Sequence, residues 1–198
     1  MISLLALLAG FLLDLLIGDP HFLYHPVRLV GALISFLEKV IRKIFPKTEK
    51  GELAGGTLMA VLVMAVTTAV PALLLYFAGL WCVQARFVVE MILCYWLLAT
   101  KSLKDESMKV YDKLAAGDLE GSRYAVSMIV GRDTAVLDEK GVTKAAVETV
   151  AENTSDGVVA PLFYLMLFGA AGGFFYKSVN TMDSMIGYRN DRYQYFGT

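Results

Sequence analysis

From Gly55 to Leu80 the chain carries no charged residue, and this run limits the fold more than any other feature. Roughly 20 apolar residues suffice for a helix to cross a bilayer. Inside lipid the backbone must satisfy its own hydrogen bonds, so such a run folds as a helix. The run holds Pro71, which removes one helix hydrogen bond. The composition agrees: the 198 residues are 57% hydrophobic and 19% charged, with a mean hydropathy of +0.56. Soluble domains are about 45–50% apolar and about 25% charged. The net charge of −1 provides no basic field for nucleic acid.

Three further segments read as membrane candidates. Met1–Ile17 is short and contains Asp14, Phe87–Thr100 is short and contains Glu90, and Val158–Phe175 is uncharged and rich in glycine. Met1–Ile17 lacks a basic leader and a small-residue cleavage site, so it is expected to stay as an anchor. With no strand alternation, the expected class is all-α: a polytopic membrane helical bundle with cytoplasmic amphipathic helices. It reads as a single membrane-embedded domain over 1–198. Spans are expected at 1–17, 55–80, 87–100 and 158–175, and cytoplasmic helical segments at 18–54 and 101–157. Cys82 and Cys94 lack any CxxC or Cys/His metal spacing and read as packing residues.

Positive charge sets the expected orientation. The loop after the first span carries Arg28, Lys39, Arg42, Lys43, Lys47 and Lys50, whereas the turn between the second and third spans carries only Arg86. The first loop is therefore placed in the cytoplasm, with the N-terminus outside. Within that loop, Leu29–Ile44 is amphipathic and Phe45–Ala54 reads as a polar loop. Further on, Ser102–Ala116 is expected to extend or follow the third span. Asp118 is expected to cap a helix running to about Val130, and Thr143–Thr154 to form another.

Two polar blocks flank Val158–Phe175. On a helical wheel Glu148, Glu152, Ser155 and Asp156 share a quadrant, with Val147, Val150, Ala151 and Thr154 opposite. The acidic stripe suits Mg²⁺, or it is a solvated helix face. Beyond the apolar segment, Lys177, Asn180, Thr181 and Ser184 share a face. Lys177 either meets a phosphate or extends to the headgroups. Arg132 and Asp133, after Gly131, form a phosphate contact or a local ion pair. His25 either fixes a turn beside Pro26 or contacts a ligand, and Asp14 is either functional or faces the headgroups. His21 lies four residues from His25, but the flanking prolines argue against a metal pair. No Walker-type loop occurs. If Val158–Phe175 crossed fully, the two blocks would face opposite compartments. Gly169, Gly172 and Gly173 favour an incomplete crossing or a site within the bundle.

Four stretches, LLDLLIGDPHFLYHPVRLVG, ATKSLKDESMKVYDKLAAGDLEGSRYAVSMIVGRDT, AVETVAENTSDGVVAPLFY and YKSVNTMDSMIGYRNDRYQYFG, occur in this order. Together they resemble the CobD/CbiB family of cobalamin biosynthesis, the adenosylcobinamide-phosphate synthases. The resemblance implies a multi-pass enzyme of the inner cell membrane with its main loops in the cytoplasm. It implies a ligase that joins a propionate carboxylate of adenosylcobyric acid to aminopropanol or its phosphate, with ATP and Mg²⁺. The expected partners are the corrinoid, the amino alcohol (phosphate) and membrane lipid, with a homo-oligomer or a C-terminal segment completing the unit. Against that chemistry, Lys177, Arg132 and Asp133 stand as catalytic candidates. Asn153, Asn180, Thr181, Ser184 and His25 are substrate-binding candidates, and Glu148, Glu152, Asp156 and Asp183 are metal candidates. The family pattern continues into a paired-Asp, Asn and Pro-Ala-Arg segment that does not appear before Thr198, so activity is expected to depend on that segment. The competing expectations are a non-catalytic corrinoid-binding or transport subunit and an inactive fragment.

Overall fold

A computed structural model of the chain describes residues 2–20, 25–131 and 133–197. Eight α-helices follow one another, and no strand occurs among the described residues. They are α1 (Ile2–Ile17), α2 (Pro26–Ile44), α3 (Glu49–Trp81), α4 (Val83–Tyr95), α5 (Thr100–Ala115), α6 (Leu119–Ser127), α7 (Glu139–Thr154) and α8 (Ala160–Ile186). A π-helical turn, Ser155–Val159, joins α7 to α8. Among the described residues, three helical stretches are long and apolar enough to cross a membrane: Glu49–Trp81, Val83–Ala115 and Glu139–Ile186. α1 is a shorter apolar helix.

Only the first of these stretches is an uninterrupted rod. α3 starts at Glu49 because the Thr48 side chain accepts a hydrogen bond from the Gly51 amide. The polar loop expected over Phe45–Ala54 is therefore largely the first turn of α3, its charges being compatible with a helix start. α3 and α4 form a hairpin at Cys82. α4 ends earlier than the expected span, at Tyr95, and the chain then turns through the buried Leu97 and Leu98. α1 lies parallel to α4: Ser3 donates to Glu90 at 3.1 Å, Gly10 packs against Met91 and Cys94, and Tyr95 donates through its hydroxyl to the Gly18 carbonyl. Ser3, Gly79 and Arg86 thus mark one end of the bundle. Gly18, Asp19 and the α4–α5 turn mark the other.

α8 doubles back on itself. Gly169 has φ 65° and ψ −166°, far from helical values, and separates limbs 160–168 and 170–186. In a straight helix, residues 164 and 176 would be about 18 Å apart along the axis. Instead the Tyr164 and Tyr176 rings stack at 5.0 Å. The limbs come close at Gly173, where a Cβ would crowd Leu165 Cδ2 at 2.8 Å and Leu97 Cδ1 at 2.6 Å. The first limb is about 13 Å long, under half a hydrocarbon core of about 30 Å. Its tip lies level with Glu90: a Cβ at Gly169 would be 3.5 Å from Glu90 Oε1. The segment Val158–Phe175 therefore enters the bundle and returns.

The remaining elements pack around this hairpin. α5, α6 and α7 form a small unit around Val110, Val126, Val142 and Ala145. α6 begins at Asp118 as expected, its carboxylate capping Gly121, but it ends at Ser127 rather than near Val130. The buried face of α7 is Val142, Ala145 and Thr149. The apolar face expected from Val147, Val150 and Ala151 instead lines an open groove facing α5. α2 is amphipathic as expected and packs with α3 around Ile34, Met59 and Val63. Its buried Glu38 receives Arg42 and Arg192, each at 3.0 Å, and so holds the C-terminal segment onto α2.

Candidate functional site

At the end of the bundle marked by Gly18, several short connections are tied together. Asp14, fully buried on α1, accepts the Thr100 amide at 2.8 Å through Oδ2 and so caps α5. The Asp19 amide donates to Ser102 Oγ at 2.9 Å. The Ala99 amide donates to the Gly157 carbonyl at 3.1 Å, joining the α4–α5 turn to the π turn. These bonds fix the walls of a cavity of about 360 Å³, lined by Asp19, Pro20, His25, Arg28, the turn Tyr95–Ala99, and Lys177.

Each wall residue has a definite posture. His25 is the N-cap of α2: its Nδ1 accepts from the Val27 amide at 3.2 Å. Its Nε2 lies 3.6 Å from Asp19 Oδ1. Burial pushes the His25 pKa below its ordinary value, Asp19 opposes that shift, and Lys177 adds to it. Lys177, on the second limb of α8, has the carboxylates of Asp156 and Asp19 as electrostatic neighbours but forms no ion pair with a described residue.

The hairpin brings one residue of each polar block into contact. Asn180 Nδ2 donates to Asp156 Oδ2 at 3.1 Å, and the Tyr176 hydroxyl reaches the Asp156 carbonyl at 3.5 Å. The Ala160 amide bonds the Ser155 carbonyl, five residues back, so the π turn shifts the angular phase of α8 relative to α7. Lys177, Asp156, Asn180 and His25 are thus gathered beside the α4–α5 turn.

The other expected residues are placed differently. Thr181 is buried and its hydroxyl donates to the Lys177 carbonyl, while the Ser184 hydroxyl donates to the Asn180 carbonyl; both bonds lie within their own helix. Glu148 is exposed and pairs with Lys144 at 3.7 Å. Glu152, Asn153 and Asp183 are exposed. Asp133 accepts the Ala135 amide in a local turn. Arg132 and His21 lie outside the described residues. Among the described residues no three His, Cys, Asp or Glu side chains converge as a metal site, so Glu148, Glu152, Asp156 and Asp183 do not assemble as a set. Mg²⁺ commonly takes only one or two carboxylates, with phosphate oxygens and water completing its shell, and Asp156 offers one carboxylate of that kind.

Two site residues, Asp19 and Arg28, were not singled out as ligand contacts by sequence reasoning. Both lie within LLDLLIGDPHFLYHPVRLVG, where Asp19-Pro20 reads as a turn and Arg28 as topological charge. Their joint place beside Lys177 follows only from the path of α8.

The fold and the site define a membrane-type helical bundle with a charged cavity beside the α4–α5 turn and a helical hairpin that enters the bundle and returns. The chain belongs to the CobD/Cbib family, whose model, described as CobD/Cbib protein, matches residues 7–198. It is 47% identical over 190 residues to the "Cobalamin biosynthesis protein CobD" of Geobacter metallireducens, covering 96% of this chain and 58% of that protein. It is 43% identical over 194 residues to the protein of the same name from Clostridium perfringens, covering 98% of this chain and 61% of that protein. The chain therefore spans about three-fifths of the length of these relatives. No solved structure matches it.

Proposed function

We propose that this chain serves cobalamin biosynthesis as the larger part of an amide-forming ligase. The reaction joins a propionate carboxylate of adenosylcobyric acid to aminopropanol or its phosphate, giving adenosylcobinamide or its phosphate. The observation that carries the reading is the return of α8 at Gly169, which sets Lys177 and the Asp156–Asn180 pair at the same end as a charged cavity. Amide formation from a free carboxylate requires an activated carbonyl and a positioned amine, with cations facing the negative charge that develops. ATP, bound with Mg²⁺, would supply the activating group. Asp156 is the carboxylate suited to the ion, and Lys177 the cation suited to a phosphoryl oxygen. Asn180 keeps Asp156 aimed.

The walls lie at the end of the bundle next to the basic loop, which the positive-inside rule assigns to the cytoplasm. This orientation gives the chamber access to soluble nucleotide. The inner cell membrane is the corresponding location.

The test is complementation. The chain is expressed in cells lacking this step, with and without the C-terminal portion found in its longer relatives, and conversion of cobyric acid to cobinamide is assayed. Conversion is expected with the C-terminal portion present, and Lys177→Met and Asp156→Asn should each lower it by about 100-fold, the scale of removing one charge-stabilising group. Corrinoid binding without any conversion, even with the C-terminal portion, would replace the ligase by a binding or transport subunit.

A further inference from the structure

We infer that α2 seats an open apolar stripe in the cytoplasmic leaflet of the membrane, and that Lys39, Lys43, Lys47 and Lys50 along its edge hold the phosphates of acidic phospholipids. This holds whether or not the chain forms an amide.

α2 carries two apolar faces. Val30, Ile34 and Ile41 pack with Met59 and Val63 of α3. A second line, Leu29, Leu33, Phe36, Val40 and Ile44, recurs at steps of three and four residues and so runs along one side of the helix. Most of it is uncovered: Phe36 is 62% and Ile44 70% exposed. A row of large exposed apolar side chains marks a contact with protein or membrane. The surface it joins decides between them. Leu29 and Leu33 share one apolar groove with Val66, Val70 and Leu74 of α3, so the stripe continues the outer face of a helix long enough to span the bilayer.

The charges beside the stripe select the kind of lipid. Three acidic residues occur between 26 and 56. Glu38 is held by Arg42 and Arg192, Glu52 by Arg42, and Glu49 lies beside the Tyr195 hydroxyl. Lys39, Lys43, Lys47 and Lys50 are exposed and form no ion pair with a described residue. On the helical wheel Lys39 and Lys43 fall at the edge of the stripe that lies away from α3. Lys47 and Lys50 stand at the start of α3, just before its charge-free run from Gly55. Lysines so placed lay their stems on apolar surface and carry their ammonium groups to headgroup level. A zwitterionic lipid would bring its own cation to this basic rim, whereas an acidic one brings none.

The test compares spin-labelled phosphatidylglycerol with spin-labelled phosphatidylcholine at the surface of the full chain in phosphatidylcholine bilayers. The wild-type chain should favour phosphatidylglycerol by about fivefold or more, the scale of one lysine near an anionic headgroup. Replacing all four lysines by glutamine should bring the ratio close to one. Raising salt from about 0.1 M to about 1 M shortens the screening length from about 10 Å to about 3 Å and should weaken the preference. Equal association of the two lipids, a preference insensitive to salt, or an undiminished preference in the four-lysine variant would each overturn the proposal. Glycerol phosphate in excess at matched ionic strength should leave the lipid in place, and displacement would assign the lysines to a soluble anion instead. A spin label at Phe36→Cys, in a chain carrying Cys82→Ser, reports what covers the stripe. It should collide with oxygen and not with a water-soluble nickel complex. Access to nickel would put the stripe in water, and shielding from both would put a second copy or another protein on it; either result overturns the proposal. If the four-lysine variant does not fold, the wild-type lipid comparison and the label at position 36 decide.

Discussion

Gly169 holds the conformation on which the site depends. At φ 65° and ψ −166° it occupies a region that is essentially glycine's alone, and side chains there cost on the order of 1–3 kcal/mol. Gly169→Ala is expected to lower the thermal midpoint by that equivalent and to abolish cobinamide formation, because straightening α8 would carry Lys177 away from Asp19. Retention of both the midpoint and activity would show that the return of α8 does not depend on this glycine. The glycines of Val158–Phe175 were legible as unsuited to a lipid-facing helix, but no residue pattern says which of them turns the chain. Asp14 shows the same limit. An acid near a helix end is consistent with function or with headgroups, and only the fold places its carboxylate on the Thr100 amide.

At the scale of elements, helix starts were readable where a side chain caps its own helix, as Asp118 does for α6. The acidic stripe of α7 was readable only as far as Thr154, since wheel geometry assumes an unbroken α-helix and the π turn shifts everything beyond it. The Asp156–Asn180 bond that follows is open to a double-mutant cycle. Asp156→Ala and Asn180→Ala should be non-additive in stability by about 0.5–3 kcal/mol in urea unfolding, and strict additivity would mean that the bond does not join the two limbs. α2 provides the pH test. Because burial holds the His25 pKa below its ordinary 6.5, the fold favours the neutral ring. The unfolded chain then binds the proton more readily, so this contribution is complete above pH 6.5 and declines as pH falls below it. His25→Asn keeps an N-capping side chain and removes the titration. Its melting temperature should vary less between about pH 7 and 5 than that of the wild type, and parallel curves would show that His25 is not the responsible group.

Over the whole molecule, membrane character and helical class were legible because they depend on composition and on long uncharged runs, which no packing detail reverses. The charged chamber was not, because its walls come from the segment after α1, the start of α2, the α4–α5 turn and α8, elements far apart in sequence that meet only once α8 returns. That return makes a topological prediction for which the native cysteines are well placed. Cys82 is exposed at the α3–α4 turn and Cys94 is buried. With the basic loop in the cytoplasm, an impermeant maleimide added to intact cells should label Cys82 and leave Cys94 unmodified. A cysteine at Ser184, beyond the second limb in a chain carrying Cys82→Ser, should react only after the cytoplasmic face is opened. Equal labelling of positions 82 and 184 from outside would mean that Val158–Phe175 crosses the membrane and parts the two polar blocks. The hairpin at Gly169 and the chamber built on it would then both be wrong.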